Sequence, residues 1–375
     1  QFLDSNQFFG LLNIFSGGRL STLSIVMLGV GPYITASIIM QLLTMMSPKL
    51  KSMYQEEGAI GRKKFSQYSR LLSVPLAFAQ AFGFIVLLQR QGIVASLDTF
   101  ALLTNVLVIV AGSVFLMWLG EVMTEFGIGN GLSMIIFAGI VAVVPQVASQ
   151  IFYAFQMEDL FTYIGLGILA LAMVYLVVYI TEAERPIPVT YAKQVRGGKT
   201  YGGTSTYLPL RLNQAGVIPI IFALSLLLLP QMVLNMLTYL QNPTISQIAV
   251  FVNDLMKNQW FYAAAYFVMV FFFTFFYTAV TFDPKAISDN LQKGGAFIPG
   301  VRPGESTEAY LGKVVTRITL VGALFLALVA VLPPVLNAIT GISYLTIGGT
   351  GLLIVVSVVL DIVKKVDAQL SMREY

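Results

Sequence analysis

Residues 20–48 read LSTLSIVMLGVGPYITASIIMQLLTMMSP, and no side chain in this stretch is charged. A transmembrane helix needs about 20 mainly apolar residues, and the part from Pro32 onward with the turn before it is long enough. Gly29, Gly31 and Pro32 interrupt the stretch, because proline removes a backbone donor and clashes with the preceding turn. The sequence therefore predicts two elements that meet in a bend at Pro32.

A second apolar stretch repeats this pattern in the other half of the chain. Its sequence AGVIPII, at residues 215–221, again sets glycine and proline just inside an apolar helix. Interrupted helices in corresponding positions of two halves are typical of internal repeats with a functional site at their interface. We expect two halves, residues 1–155 and 156–375.

The composition is that of a membrane protein. Hydrophobic residues make up 57% of the chain and charged residues 11%, with a mean hydropathy of +0.81, whereas soluble domains carry roughly 25% charged residues. The sequence predicts an all-α polytopic membrane protein. Histidine and cysteine are both absent, which excludes thiol nucleophiles and disulfides and removes the commonest general base and metal ligand.

Apolar runs predict nine membrane spans separated by polar loops. Two loops are long, residues 182–213 and 283–313, and the glycines at 202 and 203 predict a β-hairpin in the first. Residues 242–258 predict an amphipathic segment. The expected spans are 32–46, 71–88, 99–120, one from residue 132, 160–181, 214–235, 260–282, 316–332 and 347–363.

The basic residues lie mostly on one side of these spans. The connections after spans one, five, seven and nine hold six, five, five and three of the 22 Lys and Arg residues, if Arg317 at the start of span eight is counted with the third of these connections, and the other side holds Arg19, Arg90 and Lys257. The positive-inside rule places the basic loops and the C-terminus in the cytoplasm and residue 1 outside.

No catalytic or phosphate-binding motif is present in the sequence. The run GGKT at 197–200 lacks the first glycine of a phosphate-binding loop, where Lys193 stands, and is interpreted as a hairpin turn. No charged residue lies deep in a span, which weakens the hypothesis of an ion-coupled pump. Polar residues in the spans, among them Thr35, Gln41 and Asn105, are expected to form hydrogen bonds between helices.

Five motifs in order along the whole chain resemble the SecY family, the large subunits of bacterial Sec protein-conducting channels. The motifs are FSGG at 15–18 followed by GPYITASIIMQLL at 31–43, GIGNGLS at 127–133, GGTSTYLPLRLNQAGVIPIIFA at 202–223, FDPKAISDNLQKGGAFIPGVRPGE at 282–305 and GGTGLLIVV at 348–356. The family has a first helix before residue 1 of this chain, which would complete two pseudo-symmetric five-helix halves. The resemblance implies an hourglass pore between those halves.

The resemblance also implies roles for particular residues. A constriction ring maps onto Val30, Ile34, Ile136, Ile221 and Ile354. A plug covers 9–21, including Leu11, Leu12, Asn13, Ile14, Phe15, Ser16, Gly17, Gly18 and Arg19. A lateral gate between the two interrupted helices takes in Pro32, Thr35, Ser37, Ile38, Ile218, Pro219, Ser225 and Leu229.

The long basic loops are expected to bind translocation partners. Lys199, Arg211, Lys285, Lys293 and Arg302 map onto loops that, in the family, dock the ribosome and the SecA motor ATPase, and ribosomal RNA is a polyanion. The resemblance further implies the small membrane subunits SecE and SecG, signal-sequence-bearing polypeptides as substrates, the bacterial cytoplasmic membrane as location, and no cofactor or metal. The alternatives are a secondary transporter with inverted repeats and a membrane-embedded enzyme.

Overall fold

The computed structural model describes most of residues 24–373. The exceptions are residues 56, 91, 93, 96, 128, 155–159, 192–193, 197–198, 202–204, 215, 217, 238–242 and 341–343. The expected plug, 9–21, therefore lies outside the described residues.

The described part of the protein is mainly helical, with two small sheets. The helices are α1 Gly31–Met46, α2 Pro48–Gln55, α3 Gly58–Arg90, α4 Thr99–Phe126, α5 Gly131–Ala154, α6 Leu160–Glu182, α7 Ile218–Leu237, α8 Pro243–Lys257, α9 Gln259–Thr281, α10 Pro284–Lys293, α11 Glu305–Thr340 and α12 Tyr344–Arg373. The sheets are formed by the connections between α6 and α7 and between α10 and α11, and their strands are β1 Glu184–Tyr191, β2 Gln194–Arg196, β3 Lys199–Tyr201, β4 Ser205–Arg211 and β5 Ala296–Phe297.

Among the described residues, five helices are long and apolar enough to cross a membrane. These are Ile60–Val86, Thr99–Phe126, Tyr163–Glu182, Gln259–Lys293 and Glu305–Ile339. Shorter apolar helices cover Gly31–Met46, Gly131–Pro145, Ile218–Leu227 and Gln247–Met256. The chain is a multi-pass membrane protein, as its composition predicted.

Several expected span boundaries are wrong because the helices extend beyond their apolar parts: α4 runs to Phe126 and α12 to Arg373, and the largest differences are in α3 and α11. Helix α3 begins at Gly58 and includes basic residues assigned to a loop, and α11 begins at Glu305. Glu305 and Glu308 lie in the first turn of α11, where acidic side chains stabilise the helix dipole. Helix α11 also continues through Pro333 and Pro334 to Thr340, since proline is tolerated in membrane helices whose neighbours satisfy the freed backbone groups.

The bend expected at Pro32 is also wrong, because the proline begins a helix instead of bending one. Pro32 lies in the first turn of α1, and Pro219 lies at the second residue of α7. A proline in the first turn costs no hydrogen bond, since the amide groups there have no partner within the helix.

The first long loop forms the expected hairpin. Strand β1 pairs antiparallel with β4, with Ile187 opposite Leu208, and β2 pairs with β3, with Arg196 opposite Lys199. The second loop joins this hairpin through β5, whose Phe297 pairs with Thr190, giving the sheet order β4-β1-β5. A separate apolar cluster holds both loops against the start of α11 and includes Ile187, Val189, Leu210, Ala296, Ile298, Leu311, Val314, Val315 and Ile318.

The helices pack around one large apolar cluster. Within the first half α3 contacts α1 and α4, and within the second half α9 contacts α7 and α11. Contacts of α7 with α1 and α3, and of α12 with α5, join the two parts. Buried residues from both halves of the chain therefore share one core.

Candidate functional site

Equivalent turns lead into α1 and α7. Gly29 and Gly216, each three residues before a proline, have φ values of 57° and 62°. This left-handed conformation is strained for residues with a Cβ atom, so glycine is favoured at both places. In each half of the chain, a glycine with a positive φ therefore lies two residues before the first residue of the helix.

The chain before each of these turns passes very close to a glycine on a neighbouring helix. A Cβ atom at Gly112 of α4 would lie 2.5 Å from the carbonyl oxygen of Ile25, and one at Gly322 of α11 would lie 2.5 Å from that of Leu212. Ile25 and Leu212 each precede their proline by seven residues. The two entry segments are thus seated on their supporting helices in corresponding ways.

Side-chain hydrogen bonds hold both entry turns. The buried Ser113 hydroxyl donates to the Gly29 carbonyl oxygen at 2.8 Å. The buried Asn213 amide donates to the Gly216 carbonyl oxygen at 3.3 Å. The carbonyl that each glycine presents to the core therefore has a partner.

The five expected ring residues are buried and belong to the same apolar cluster. Their exposed fractions are 1% for Val30, 8% for Ile34, 3% for Ile136, 8% for Ile221 and 0% for Ile354. They come from the turn before α1 and from α1, α5, α7 and α12. The structure thus collects residues that are far apart in sequence into one aliphatic core.

A cavity of about 340 Å³ opens next to three of these residues. Ile136, Ile221 and Ile354 line it together, whereas Val30 and Ile34 are not among its lining residues. A surface of branched aliphatic groups offers water and ions no hydrogen-bonding partner, and such constrictions tend to dewet. These three lining residues therefore have the chemistry of a barrier to ions.

The same cavity also has polar and charged lining residues, of which only Arg211 was among the residues predicted to be functional. Its polar and charged lining residues are Asn130, Ser133, Thr181, Arg211, Asn213, Gln214, Thr281, Ser357, Asp361, Lys364 and Lys365. Lys365 lies 2.6 Å from Asp361, and Lys364 lies 2.8 Å from Glu182 at the end of α6. These residues come from several elements, and five of them lie within two of the quoted motifs, GIGNGLS and GGTSTYLPLRLNQAGVIPIIFA; only the fold brings all of them to one cavity.

The expected gate residues occupy two helices that contact each other. On α1, Pro32, Thr35 and Ile38 are buried and Ser37 is half-buried. On α7, Pro219 and Ser225 are buried and Ile218 is half-buried. Leu229 lies on α7, and its side chain is outside the described part.

The hydrogen bonds expected between helices are not found for two of the polar span residues. The Thr35 hydroxyl donates to the Gly31 carbonyl oxygen at 3.0 Å, and the Asn105 amide donates to that of Ala101 at 2.8 Å. Both bonds stay within one helix, since the carbonyl four residues earlier is always within reach. The buried Oε1 of Gln41 has no partner among the described residues.

Four of the expected partner-binding cations are exposed. Lys285 and Lys293 lie on α10, Arg302 lies between β5 and α11, and Arg211 ends β4 beside the cavity. The Arg302 carbonyl oxygen accepts a hydrogen bond of 2.9 Å from the Thr307 hydroxyl, which fixes the turn before α11. Lys199 lies on β3, and its side chain is not described.

The described residues contain no group of three or more His, Cys, Asp or Glu suited to a metal ion.

Comparison with known proteins identifies the family. The family model of SecY matches residues 24–363. The chain is 44% identical over 367 residues to the protein translocase subunit SecY of Pseudomonas aeruginosa, an alignment that covers 97% of this chain and 82% of the relative. The chain belongs to the SecY family. Proteins of the SecY family are the channel-forming subunits of protein translocases and are not enzymes. The expected function, a protein-conducting channel, is therefore confirmed.

Solved structures share the fold. One, described as the structure of a protein conducting channel, matches with a TM-score of 0.66 and 22% identity, covering 95% of this chain and 83% of the other. Sec61 in the canine ribosome-channel complex matches with a TM-score of 0.62 and 21% identity, again covering 95% and 83%. The helical membrane fold expected of a SecY protein is therefore confirmed.

Proposed function

We propose that this SecY protein passes unfolded polypeptides between its two halves, residues 1–155 and 156–375, through the ring of Val30, Ile34, Ile136, Ile221 and Ile354. The observation that carries the proposal is the cavity that Ile136, Ile221 and Ile354 line together. Aliphatic side chains yield to an extended chain of any sequence, because they make no directional bonds to it. A conduit for varied substrates requires this lack of selectivity.

The proposed gate lies between α1 and α7. Three observations support two related halves that move against each other. Helix α1 contacts α7, a glycine with a positive φ precedes each helix, and the chain before each turn passes close to a glycine of a neighbouring helix, Gly112 or Gly322. Separation of α1 and α7 would release hydrophobic segments sideways into lipid. The plug assigned to 9–21 would close the outer side of the ring at rest.

The proposed location is the bacterial cytoplasmic membrane, with the basic loops and the C-terminus in the cytoplasm. The excess of Lys and Arg in these loops supports this orientation. The exposed cations Lys285, Lys293 and Arg302 would then face the ribosome or the SecA motor. A ribosome partner is in keeping with the ribosome-channel complex in which Sec61 was solved. SecE and SecG are the proposed membrane partners.

The proposal is tested by reconstituting the protein with its partners in vesicles and measuring two quantities. Wild-type vesicles should protect a secretory polypeptide from added protease in a motor-dependent manner and show low resting ion conductance. Ile221→Asn should raise the resting conductance, since a polar ring residue stabilises water in the constriction. The conservative control Ile221→Val should keep it low. An unchanged conductance in Ile221→Asn would remove Ile221 from the barrier.

The alternative that the sequence left open was an ion-coupled transporter. It predicts uptake of a small solute driven by an ion gradient and no passage of polypeptides. The lack of charged residues deep in the predicted spans argues against it.

A further inference from the structure

A second, smaller cavity lies beside the start of α11. It has a volume of about 130 Å³ and is lined by Arg185, Tyr310, Lys313, Val314 and Arg317. The side chains of Arg185, Lys313 and Arg317 are exposed, and none forms an ion pair with a carboxylate among the described residues. We call this cavity the Arg317 pocket. Its three cations leave it with a positive charge that the described part of the chain does not neutralise.

The charge pattern of α11 places the Arg317 pocket at the membrane surface. Residues 318–340 carry no charged side chain. With a rise of 1.5 Å per residue they span about 34 Å, close to the roughly 30 Å of the hydrocarbon core. Arg317 is therefore the last charge before the hydrocarbon begins. Arg185 follows the end of the membrane-crossing helix α6 by three residues, which is consistent with the same level.

An exposed apolar stripe continues from the pocket along α11. Val321, Leu324 and Leu328 follow Arg317 by four, seven and eleven residues, which puts them on one face of the helix. Their exposed fractions are 53%, 50% and 55%. A cationic pocket at the headgroup level and an apolar stripe that leads into the hydrocarbon offer contacts to the two parts of one phospholipid molecule, its charged headgroup and its acyl chains. A soluble phosphate ion would use only the pocket.

We propose that the Arg317 pocket binds the phosphate group of an anionic phospholipid, whose acyl chains lie along Val321, Leu324 and Leu328. Arginine and lysine form charge-assisted hydrogen bonds with phosphate oxygens, and basic pockets of this kind at helix ends bind anionic headgroups. The inference goes beyond the proposed channel function and does not depend on it, since neither the ring nor the gate takes part.

The test measures lipid retention by the protein purified with its partner subunits. The wild type and the double variant Lys313→Gln/Arg317→Gln are taken from vesicles of phosphatidylglycerol and phosphatidylethanolamine, and bound lipids are counted by native mass spectrometry. We expect the wild type to retain phosphatidylglycerol selectively and the double variant to bind it about 30-fold more weakly, since each cation contributes a factor of about five. Arg185→Gln removes the one pocket cation that lies on strand β1 and not on α11, and it should weaken phosphatidylglycerol binding about fivefold.

The control Lys63→Gln/Lys64→Gln removes two exposed cations of α3 that do not line the pocket, and it should retain phosphatidylglycerol like the wild type. Equal retention by wild type and pocket variants, or an equal loss in the control, would overturn the proposal.

A separate arm adds inorganic phosphate to the detergent-purified protein. If phosphate displaces the lipid, or binds where no lipid is retained, the pocket takes a soluble anion and the lipid assignment is wrong. If the pocket variants lose a partner subunit while lipid retention stays unchanged, a protein covers this face instead.

Discussion

The Ser113 hydroxyl on α4 donates a hydrogen bond of 2.8 Å to the carbonyl oxygen of Gly29, 84 residues away in the chain. This bond fixes the turn that precedes Val30 and α1. Gly29 has a φ of 57°, and Ser113 supplies a donor for its carbonyl oxygen. The position of a proposed ring residue thus depends on a side chain in a neighbouring helix.

Replacing Ser113 with alanine should destabilise the protein by about 1–3 kcal/mol, because the buried carbonyl of Gly29 loses its partner. Resting ion conductance should rise as well, since Val30 follows the released turn. The control Ser371→Ala removes an exposed hydroxyl that bonds only within its own helix, to the Asp367 carbonyl. A Ser113→Ala protein with wild-type stability and conductance would contradict this role.

Replacing Gly322 with alanine should cost about 1–3 kcal/mol of stability, because the new Cβ atom would lie 2.5 Å from the backbone oxygen of Leu212 and something must move. Gly312→Ala on the same helix is the matched control, since the nearest heavy atom to its Cβ would be 3.9 Å away. Unfolding in a denaturing detergent, followed by circular dichroism, measures both. If the two variants unfold alike, the segment before α7 does not pack tightly against α11 at Gly322.

Replacing Arg302 with glutamate should impair motor-driven export and leave stability within about 0.5 kcal/mol, because an exposed loop charge contributes little to folding. Arg302 is exposed in the turn between β5 and α11. Lys63→Glu makes the same charge change at an exposed site outside the two long loops. Export by Arg302→Glu at the rate of the control would remove this residue from partner binding.

A disulfide between α1 and α7 should lock the proposed gate. The protein has no cysteine of its own, so engineered pairs report proximity without background thiols. A disulfide requires Cα atoms about 4.4–6.8 Å apart, and since α1 contacts α7 at least one pair should oxidise readily. The pairs combine Thr35, Ser37 or Ile38 with Ala223, Ser225 or Leu229.

Oxidation of such a pair should block both export and membrane insertion, and reduction should restore them. The control pairs Ser37 with Leu171, an exposed residue of α6, and should not couple. Normal translocation through a protein in which the disulfide between α1 and α7 has formed would exclude these two helices as the gate. A longer flexible cross-linker at the same positions should be tolerated.

Much of the fold could be predicted from particular residues. Pro32 and Pro219 marked the positions at which two helices begin, although the expected bend was wrong, because the sequence does not show whether a proline lies in the first turn or further in. The alternating residues near Gly202 and Gly203 predicted the hairpin. The start of α11 at Glu305 was missed, because its polar first turns are stabilised by the apolar cluster under the loops.

The sequence by itself determined the membrane class, the family, the two glycine–proline breaks and the lack of thiol or histidine chemistry, since these depend on composition and local pattern. Only the tertiary structure decided that Ile136, Ile221 and Ile354 border one cavity, that Phe297 pairs with Thr190, and that Lys364 meets Glu182. Each of these contacts joins residues far apart in the chain. Aliphatic residues occur throughout a membrane protein, and only packing distinguishes those that face a cavity from those that face lipid.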